Sequence, residues 1–301
     1  MRNSHLPIWT TAFIFILLLT SSSCGGGSSP AASLPSTMNA FPQFGHVFLV
    51  VEENHSYSEV IGNTAMPYLN SLASKYGLAT QYYANTHPSI GNYFMLTTGQ
   101  LVSNDDAYTG TVSADNLVRE LVVAGKSWKS YSESLPSQGY TGDDVYPYVK
   151  HHNPFAYLTD VINSTSASQN LVSFSQFGSD LASNQLPAFS YIVPNLLDDA
   201  HDGTLQAADA WLQQNIAPLI SSAAFQKDGL LIIVFDESDT TDVTNGGGHV
   251  AAVIVSPKAN LVYQSTMVYQ HQSTLRLILH GLGVTAYPGA AATTPDMGEF
   301  F

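Results

Sequence analysis

Short runs of consecutive apolar residues alternate along this chain with segments in which apolar residues recur every three or four positions. The runs are typical of strands buried on both faces of a sheet, and the spaced segments are typical of amphipathic helices. Polar or turn-forming residues bound each run. The pattern predicts five strands, at residues 46–52, 128–132, 189–193, 230–235 and 250–256.

The segments between these runs carry residues that start and stop helices. Residues 89–99 follow a proline and end in glycine, and residues 115–125 begin with Asp-Asn and end in glycine. The predicted helices are 66–76, 89–99, 115–125 and 204–220. Residues 130–168 are irregular and rich in Tyr, Gly and Pro, and we interpret them as an insertion over the sheet.

Alternation of buried strands with helices predicts an α/β fold, a three-layer sandwich with a mostly parallel central sheet and helices on both faces. The chain has 301 residues, of which 45% are hydrophobic. That length suits one large α/β domain or two small ones. Because the irregular residues 130–168 are interpreted as an insertion rather than a second domain, we expect a single domain over residues 41–301.

The first forty residues have the composition of a targeting segment. Arg2 precedes an apolar stretch at 8–19 that is too short to cross a membrane comfortably. Serines precede Cys24, which is the only cysteine, and a Gly/Ser-rich stretch follows it. We expect a signal peptide at 1–23, a lipid anchor at Cys24 and a tether over 24–40, with the protein periplasmic or extracellular. An ordinary secretory signal cleaved near Cys24 is the alternative.

The charge balance restricts the kinds of partner that the protein is expected to bind. The formal net charge is −14, and Lys and Arg together number only 9. Binding of nucleic acid through a basic surface is therefore not expected. An anionic phosphate ester remains a suitable substrate, provided that a bound cation rather than arginines neutralises it.

Ser89 is the first candidate for chemistry, because it follows Pro88 and opens a predicted helix. A serine in this position has its Oγ near free backbone N–H groups and the positive end of the helix dipole. Such a place can hold a phosphate and lower the cost of an alkoxide. A simple helix cap is the alternative role.

Polar clusters follow three of the predicted strands, and a histidine precedes a fourth. The residues are Glu53 and Asn54; Asn195, Asp198, Asp199, His201 and Asp202; Asp236 and Glu237; and His249. In parallel sheets the carboxyl ends of the strands meet at one edge, where binding sites lie. Oxygen-rich side chains of this kind suit a divalent cation.

Together these motifs resemble the phosphoesterase family of bacterial acid phosphatases and phospholipases C, within the alkaline-phosphatase-like superfamily. The resemblance covers residues 46–257. It rests on Val51-Glu-Glu-Asn-His-Ser-Tyr57, His87-Pro-Ser89 with Asn92-Tyr93, His151-His-Asn-Pro-Phe155, Pro194-Asn195 with His201-Asp202, and Phe235-Asp-Glu237.

The resemblance implies a role for each matching residue. Ser89 would be the nucleophile and would also touch a metal ion. The remaining ligands would be Glu53, Asn54, Asp236 and Glu237. Asn92 would hydrogen-bond the phosphoryl oxygens, and His152 and His201 would face the phosphate or the leaving group.

Two departures from the wider superfamily bear on the metal. Two-zinc members carry Asp-His where this chain has Asp236-Glu237, and many carry Pro-Asp where it has Pro194-Asn195. Glu and Asn are harder oxygen donors, so one Ca²⁺, Mg²⁺ or Mn²⁺ ion is favoured, with Zn²⁺ as the alternative. A second metal site could be built from Asp198, Asp199, His201 and His249.

The expected function is metal-dependent hydrolysis of a small phosphate monoester through a phosphoserine intermediate on Ser89. Residues 41–301 would then be the catalytic domain, and residues 130–177 would supply the leaving-group pocket. A phosphodiesterase of the phospholipase C type is one alternative, although contact with a membrane is expected only through the anchor at Cys24. An envelope lipoprotein that binds phosphate or metal without catalysis is the other.

Overall fold

An eight-stranded sheet forms the centre of the protein in a computed structural model that describes residues 41–301. In spatial order its strands are β5 (Leu171–Ser173), β4 (Trp128–Ser132), β6 (Phe189–Val193), β1 (His46–Glu52), β7 (Gly229–Phe235), β8 (Ala252–Val255), β2 (Gly77–Ala79) and β9 (Tyr263–Ser265). Only β8 runs against the others. A two-residue strand β3 (Tyr82–Tyr83) pairs separately with β10 (Tyr269–Gln270).

Ten α-helices accompany the sheet in this part of the chain. They are α1 (Tyr57–Val60), α2 (Pro67–Lys75), α3 (Ser89–Thr98), α4 (Leu117–Val123), α5 (Thr159–Ile162), α6 (Thr165–Ser168), α7 (Ser175–Ala182), α8 (Leu205–Ser221), α9 (Ala223–Asp228) and α10 (His271–Gly281). Successive side chains of a strand point to opposite faces of a sheet. Phe48 of β1 packs on Phe177 of α7 and Phe225 of α9. On the other face, Tyr191 of β6 packs on Phe155, which lies beside α3.

This architecture confirms the expected α/β sandwich with a mostly parallel sheet. All five predicted strands and all four predicted helices are present, with ends shifted by up to two residues. The sequence pattern did not predict the short strands β2, β3, β5, β9 and β10 or the helices α1, α5, α6, α7, α9 and α10. Strands of two or three residues have too few positions to show a period. The signal peptide, the tether and the anchor at Cys24 lie outside the described residues. No helix within residues 41–301 is long and apolar enough to cross a membrane.

The segment interpreted as an insertion is integrated into the fold. It contains the end of β4, two short 3₁₀ helices at Lys150–His152 and Pro154–Tyr157, and the helix α5. Both 3₁₀ helices pack on α3. The segment therefore brings buried side chains to the carboxyl edge of the sheet without forming a domain of its own.

The loops after β1, β6 and β7 are joined to one another by backbone hydrogen bonds. The three strands are neighbours at the sheet centre. The Glu53 N–H donates to the Asp199 carbonyl at 2.8 Å, and the Asp236 N–H donates to the Glu52 carbonyl at 2.9 Å. These bonds continue the sheet pairing beyond the strand ends and hold the polar clusters together.

A chain of buried side chains supports the loop after β7 from behind. The Nε2–H of His271, the first residue of α10, donates to the Asp236 carbonyl at 2.5 Å. Its Nδ1 then accepts from the Tyr82 hydroxyl at 3.1 Å, and that hydroxyl also contacts Thr274 Oγ1 at 2.6 Å. All three side chains have no exposed surface.

A residue from α8 caps the first turn of α2, in place of the residue that directly precedes the helix. Met66, which precedes the helix, offers no side-chain acceptor. The carboxylate of Asp209 instead accepts from the backbone N–H groups of Tyr68 at 2.9 Å and Leu69 at 2.8 Å. Two otherwise orphaned donors are thus satisfied inside the protein.

Replacing this remote cap should destabilise the fold. In Asp209→Ala the two buried N–H groups lose their acceptor, and we expect the free energy of unfolding to fall by about 2 kcal/mol. Urea unfolding followed by circular dichroism measures the change. Gln206→Ala, on the exposed face of α8, is the matched control and should change stability little. Equal stabilities of the two variants would contradict the capping role.

His271 should make stability dependent on pH. Burial lowers its pKa from 6.5 to about 4 in the folded protein. The unfolded chain therefore binds a proton near pH 6.5, whereas the folded chain does not until about pH 4. Stability that depends on neutral His271 is complete above pH 6.5 and falls as the pH drops toward 4, by up to about 3 kcal/mol.

The measurement is the free energy of unfolding of the wild type and of His271→Gln across this pH range. The advantage of the wild type over the variant should shrink as the pH falls. His46→Gln, at the start of β1, is the control. A constant difference between wild type and His271→Gln would show that His271 does not stay neutral in the folded state.

Candidate active site

Ser89 lies where the predicted ligands converge. Its Oγ is 3.3 Å from Glu53 Oε2, 3.4 Å from Asn54 Oδ1 and 3.4 Å from Glu237 Oε1. Asp236 joins them, because its Oδ1 accepts from the Asn54 N–H at 3.1 Å. The fold therefore assembles the five residues that the family resemblance names as nucleophile and ligands.

The serine is held in place by a helix that is buried over its whole length. All ten residues of α3 are buried, including Ser89 at its first position. The loop before it is fixed by Asn92, whose Oδ1 accepts from the N–H groups of Asn85 and Thr86 at 2.9 and 3.2 Å. The Nδ2 of Asn92 donates to the Thr86 carbonyl at 2.8 Å. These contacts make Asn92 a residue that shapes the serine loop, and its predicted contact with phosphoryl oxygens stays a prediction.

Negative charge at this site has no basic partner of fixed charge. Glu53 and Asp236 are fully buried, Glu237 is 4% exposed, and none forms a salt bridge with Lys or Arg within residues 41–301. Burial, followed by neighbouring carboxylates, raises the pKa of Glu53 well above its usual value and that of Glu237 to about 9. Burial also raises the pKa of Asp236 to about 6. These groups are costly to ionise unless a cation joins them.

The donor set fits a divalent cation. No group of three or more His, Cys, Asp or Glu side chains in the described chain forms a complete metal site by itself. However, Asp236 Oδ2 and Glu237 Oε2 are buried without a hydrogen bond. The hydrogen-bond pattern favours the Asn54 amide with its nitrogen toward the carboxylates, where it donates to Glu53 Oε2 at 3.3 Å and Glu237 Oε1 at 3.1 Å. With a cation present the reversed amide would add its oxygen to theirs, and such a set of oxygen donors suits a hard cation.

His152 lies beside the carboxylates on the side of the 3₁₀ helices. Its Nε2 is 3.4 Å from Glu53 Oε1, and its Nδ1 is 3.5 Å from Asp199 Oδ2. The ring stacks on Tyr93, whose hydroxyl donates to Glu53 Oε1. Burial, helped by the nearby rings of His151 and His201, lowers the pKa of His152 well below its usual value. The imidazole is therefore neutral.

His201 occupies a more open position. Its side chain is 36% exposed, and its ring centroid is 6.0 Å from that of His152. The Nδ1 of His201 is 2.8 Å from Asp202 Oδ1, and its backbone N–H donates to Asp199 Oδ1 at 2.9 Å. Both predicted histidines thus lie along one side of the site, one enclosed and one in contact with solvent.

The four-residue second metal site is not assembled. His249 stacks between Tyr57 and Tyr83, with ring centroids at 4.3 and 4.9 Å. Its Nε2 is 3.0 Å from the Thr80 carbonyl. None of its contacts within residues 41–301 involves Asp198, Asp199 or His201. The loop before β8 places this ring between two aromatic side chains. Both tyrosines are distant in sequence, so the position of His249 along the chain does not reveal this packing.

Sequence reasoning missed two contacts of the ligand carboxylates. His87 Nδ1 lies 2.9 Å from Glu237 Oε2, while its Nε2–H donates to the Asp242 carbonyl at 3.0 Å. Tyr93 donates to Glu53. Both residues lie in the motifs that carried the family resemblance. The spacing offers a signal for Tyr93, because it lies four residues after Ser89 and hence on the same face of α3.

The region predicted to form the leaving-group pocket borders a cleft next to α3. Its volume is about 260 Å³, and Lys150 and Tyr157 line it together with Asp106, Tyr108, Asp143 and Asp144. Asp106 also accepts from the Ile90 N–H at 3.0 Å, which ties the cleft to the serine-bearing turn.

The sequence profile of the Phosphoesterase family matches residues 63–285. A phosphatidylinositol-3-phosphatase of Mycobacterium tuberculosis is 35% identical over 204 residues, which cover 67% of this chain and 66% of that protein. A probable acid phosphatase of Kluyveromyces lactis is 32% identical over 211 residues, covering 67% and 49%. An acid phosphatase of Aspergillus fumigatus is 32% identical over 215 residues, covering 68% and 47%. The chain thus spans about half the length of the fungal relatives and 66% of the mycobacterial one.

Solved structures share the fold. A protein of the alkaline phosphatase superfamily from Vibrio parahaemolyticus superposes with a TM-score of 0.60 at 12% identity, over 87% of this chain and 72% of that one. A phosphonate monoester hydrolase from Silicibacter pomeroyi gives 0.58 at 12% identity, over 84% and 75%. These similarities confirm the alkaline-phosphatase-like fold class. Taken with the profile match over most of the chain, they lead to one identification: this protein belongs to the phosphoesterase family.

Proposed function

We propose that this protein hydrolyses phosphate monoesters, with Ser89 as the nucleophile. The observation that carries the proposal is the surroundings of the Ser89 Oγ, which lies 3.3 and 3.4 Å from carboxylate oxygens of Glu53 and Glu237 in a site of uncompensated negative charge. A serine that only capped a helix would not require buried carboxylates around its hydroxyl. The names of the relatives, which are phosphatases, agree with this reading.

Glu53, Asn54, Asp236 and Glu237 would hold one divalent cation next to Ser89. When bound, the cation would favour the ionised serine and offset the charge of the phosphoryl oxygens. Because every donor is an oxygen atom, Ca²⁺, Mg²⁺ or Mn²⁺ is preferred over Zn²⁺. The carboxylates would then be ionised, since a nearby positive charge lowers their pKa values.

The protein's own groups orient the reaction. Asn92 and the buried helix α3 hold the Ser89 Oγ in one position, so that the phosphorus atom is attacked in line and the ester oxygen leaves on the opposite side. As it attacks, Ser89 would pass its proton to Glu53 or Glu237, the carboxylates to which its hydroxyl donates. His201, whose Nδ1 is paired with Asp202, would protonate the departing oxygen from Nε2 when its ring is the doubly protonated imidazolium. Water then hydrolyses the phosphoserine in a second step. Neutral His152 would accept or donate hydrogen bonds within the enclosed part of the site.

The diesterase and non-catalytic alternatives make different predictions about the substrate. A monoesterase must accommodate a phosphate dianion, and the relatives described above are named as phosphatases. A binding protein would need the polar cluster but not a hydroxyl at its centre. Turnover of p-nitrophenyl phosphate without turnover of p-nitrophenyl phosphorylcholine would support the monoesterase.

Removing the serine hydroxyl should abolish turnover. We expect Ser89→Ala to lower kcat for p-nitrophenyl phosphate by roughly 10⁴-fold or more, because no other group can form the covalent intermediate. The far-ultraviolet circular dichroism spectrum should stay that of the wild type. Ser137→Ala, an exposed serine before the 3₁₀ helices, is the matched control. Activity in Ser89→Ala comparable to that of the control would overturn the assignment.

Divalent cations should be needed for activity and should also stabilise the protein. After exhaustive chelation we expect loss of turnover and a lower melting temperature, because the carboxylates then lack a counter-charge. Restoring a cation at about one hundred times its dissociation constant should raise the free energy of unfolding by about 3 kcal/mol.

The ligand assignment is tested by the melting temperature alone, independently of turnover. Asp236→Asn and Glu237→Gln should lose most of the cation-dependent rise, whereas Asp143→Asn, an exposed carboxylate nearby, should retain it. An unchanged rise in both ligand variants would place the cation elsewhere.

A further inference from the structure

Most lysines of this acidic protein lie at one edge of the sheet. Four of the six lysines are within three residues of a strand end at the edge where β1, β4, β7 and β2 begin and where the antiparallel β8 finishes. They are Lys126 before β4, Lys227 before β7, Lys258 after β8 and Lys75 before β2. We call this set the lysine edge. Strands are spaced by about 4.8 Å, so the row from β4 to β2 extends for about 24 Å.

The charges of the lysine edge are available to a partner. None of the four ammonium groups is within salt-bridge distance of a carboxylate in the part of the chain that the structure describes. Lys258 donates to the Gln43 carbonyl at 2.6 Å, which holds its charge at the edge without neutralising it. Asp228, Asp296 and Glu299 lie near the edge, and Asp228 and Glu299 offset part of the lysine charge. Asp296 is paired with Arg276 and His280.

Exposed apolar side chains stand at both ends of this row. Val122 and Val123, just before Lys126, are 60% and 79% exposed. Leu261 and Val262, which follow Lys258 and contact the end of α2, are 63% and 73% exposed. Large apolar side chains flanking unpaired lysines are suited to an interface with charged head groups above hydrocarbon.

The opposite edge has the opposite charge. Its charge comes from partly or fully exposed carboxylates in the loops after β6 and β7, namely Asp198, Asp202, Asp239 and Asp242, which lie outside the buried carboxylates of the candidate active site. The charge distribution is therefore polarised along the strand direction. An anionic surface attracts one end of the protein and repels the other.

The described chain begins at the lysine edge. Phe41 stacks on His280 with ring centroids 3.8 Å apart, and the Phe44 N–H donates to the Gly281 carbonyl at 2.8 Å, just before β1. Phe41, the first residue that the structure describes, therefore lies at this edge rather than at the active site.

We propose that the lysine edge docks on a membrane surface that carries anionic lipid head groups, so that the candidate active site faces away from the bilayer. Lysines near such a surface attract it additively, and the acidic edge is held outward. Nucleic acid is a poorer fit, because the exposed Val122, Val123, Leu261 and Val262 beside the lysines suit hydrocarbon rather than a phosphate backbone. The proposal concerns a surface remote from Ser89 and does not depend on the catalytic function.

Orientation on vesicles tests the proposal. The full-length chain with Cys24→Ser receives one cysteine, either Val123→Cys at the lysine edge or Val243→Cys at the acidic edge, for an environment-sensitive fluorophore. Every variant keeps the same residues 1–40, so binding through that segment is common to all. The vesicles are pure phosphatidylcholine, or equal parts phosphatidylcholine and phosphatidylglycerol.

We expect the fluorophore at position 123 to shift to the blue on anionic vesicles only, and the shift to disappear at high salt. The fluorophore at position 243 should not respond. Replacing all four lysines by glutamine should weaken the lipid-dependent response by roughly tenfold or more. Equal responses to both lipid compositions, or a response at position 243 instead, would overturn the proposal.

Single substitutions keep the test valid if the fourfold variant does not fold. Lys227→Gln removes one charge from the lysine edge, and Lys150→Gln removes one from the opposite half of the protein. Only the first should reduce the response on anionic vesicles. A shift at position 123 that grows with protein concentration in the absence of vesicles would show instead that the lysine edge binds the acidic edge of a second copy, and would also overturn the proposal.

Discussion

The rest of this structure depends on the concentration of acidic side chains at the carboxyl ends of β1 and β7. Glu53, Asp236 and Glu237 are buried next to one another, and within residues 41–301 no Lys or Arg pairs with them. Their side-chain neighbours include Ser89, Tyr93, His87 and His152. Burial of unpaired carboxylates opposes folding, and a protein keeps such an arrangement only where something else offsets it. A bound cation would convert the same three groups from a source of instability into ligands. The rise of their pKa values and the proposed need for a cation have the same origin, the burial of carboxylates next to one another.

The rest of the fold can be understood as the support that holds these groups in place. β1 lies between β6 and β7, and backbone hydrogen bonds continue the pairing past the strand ends, so the three loops cannot separate independently. From behind, His271 fixes the Asp236 carbonyl, and from the side, Asn92 fixes the loop before Ser89. His271 and Asn92 are uncharged and form hydrogen bonds with backbone groups, so they support the site without adding charge to it. Rigid support matters here because like charges move apart unless their backbone is held.

Local patterns were sufficient to predict the central strands, the main helices and the residues around Ser89. Runs such as 230–235 are apolar enough to be recognised alone, and the ends of neighbouring parallel strands must meet at one edge. Prediction failed where a partner from a distant part of the chain decides the outcome. His249 has the residue type and position of a ligand, yet two tyrosines enclose its ring. His87 was read only as part of a motif, because its contact with Glu237 depends on how the loop is folded.

The same limit applies to charge. Along the sequence the lysines are single residues separated by tens of positions, and a count of nine basic residues in a chain of net charge −14 argues against any basic surface. Topology changes that conclusion. In a parallel sheet, every helix-to-strand junction returns to the same edge, so isolated lysines at such junctions are collected into one row, while carboxylates at strand-to-helix junctions gather at the other edge. Strand β8 runs in the opposite direction, so its end rather than its beginning lies at this edge. Lys258 therefore joins the row although it follows its strand, whereas the other three lysines precede theirs. A polarised surface can therefore arise in an acidic α/β protein without any basic motif in its sequence.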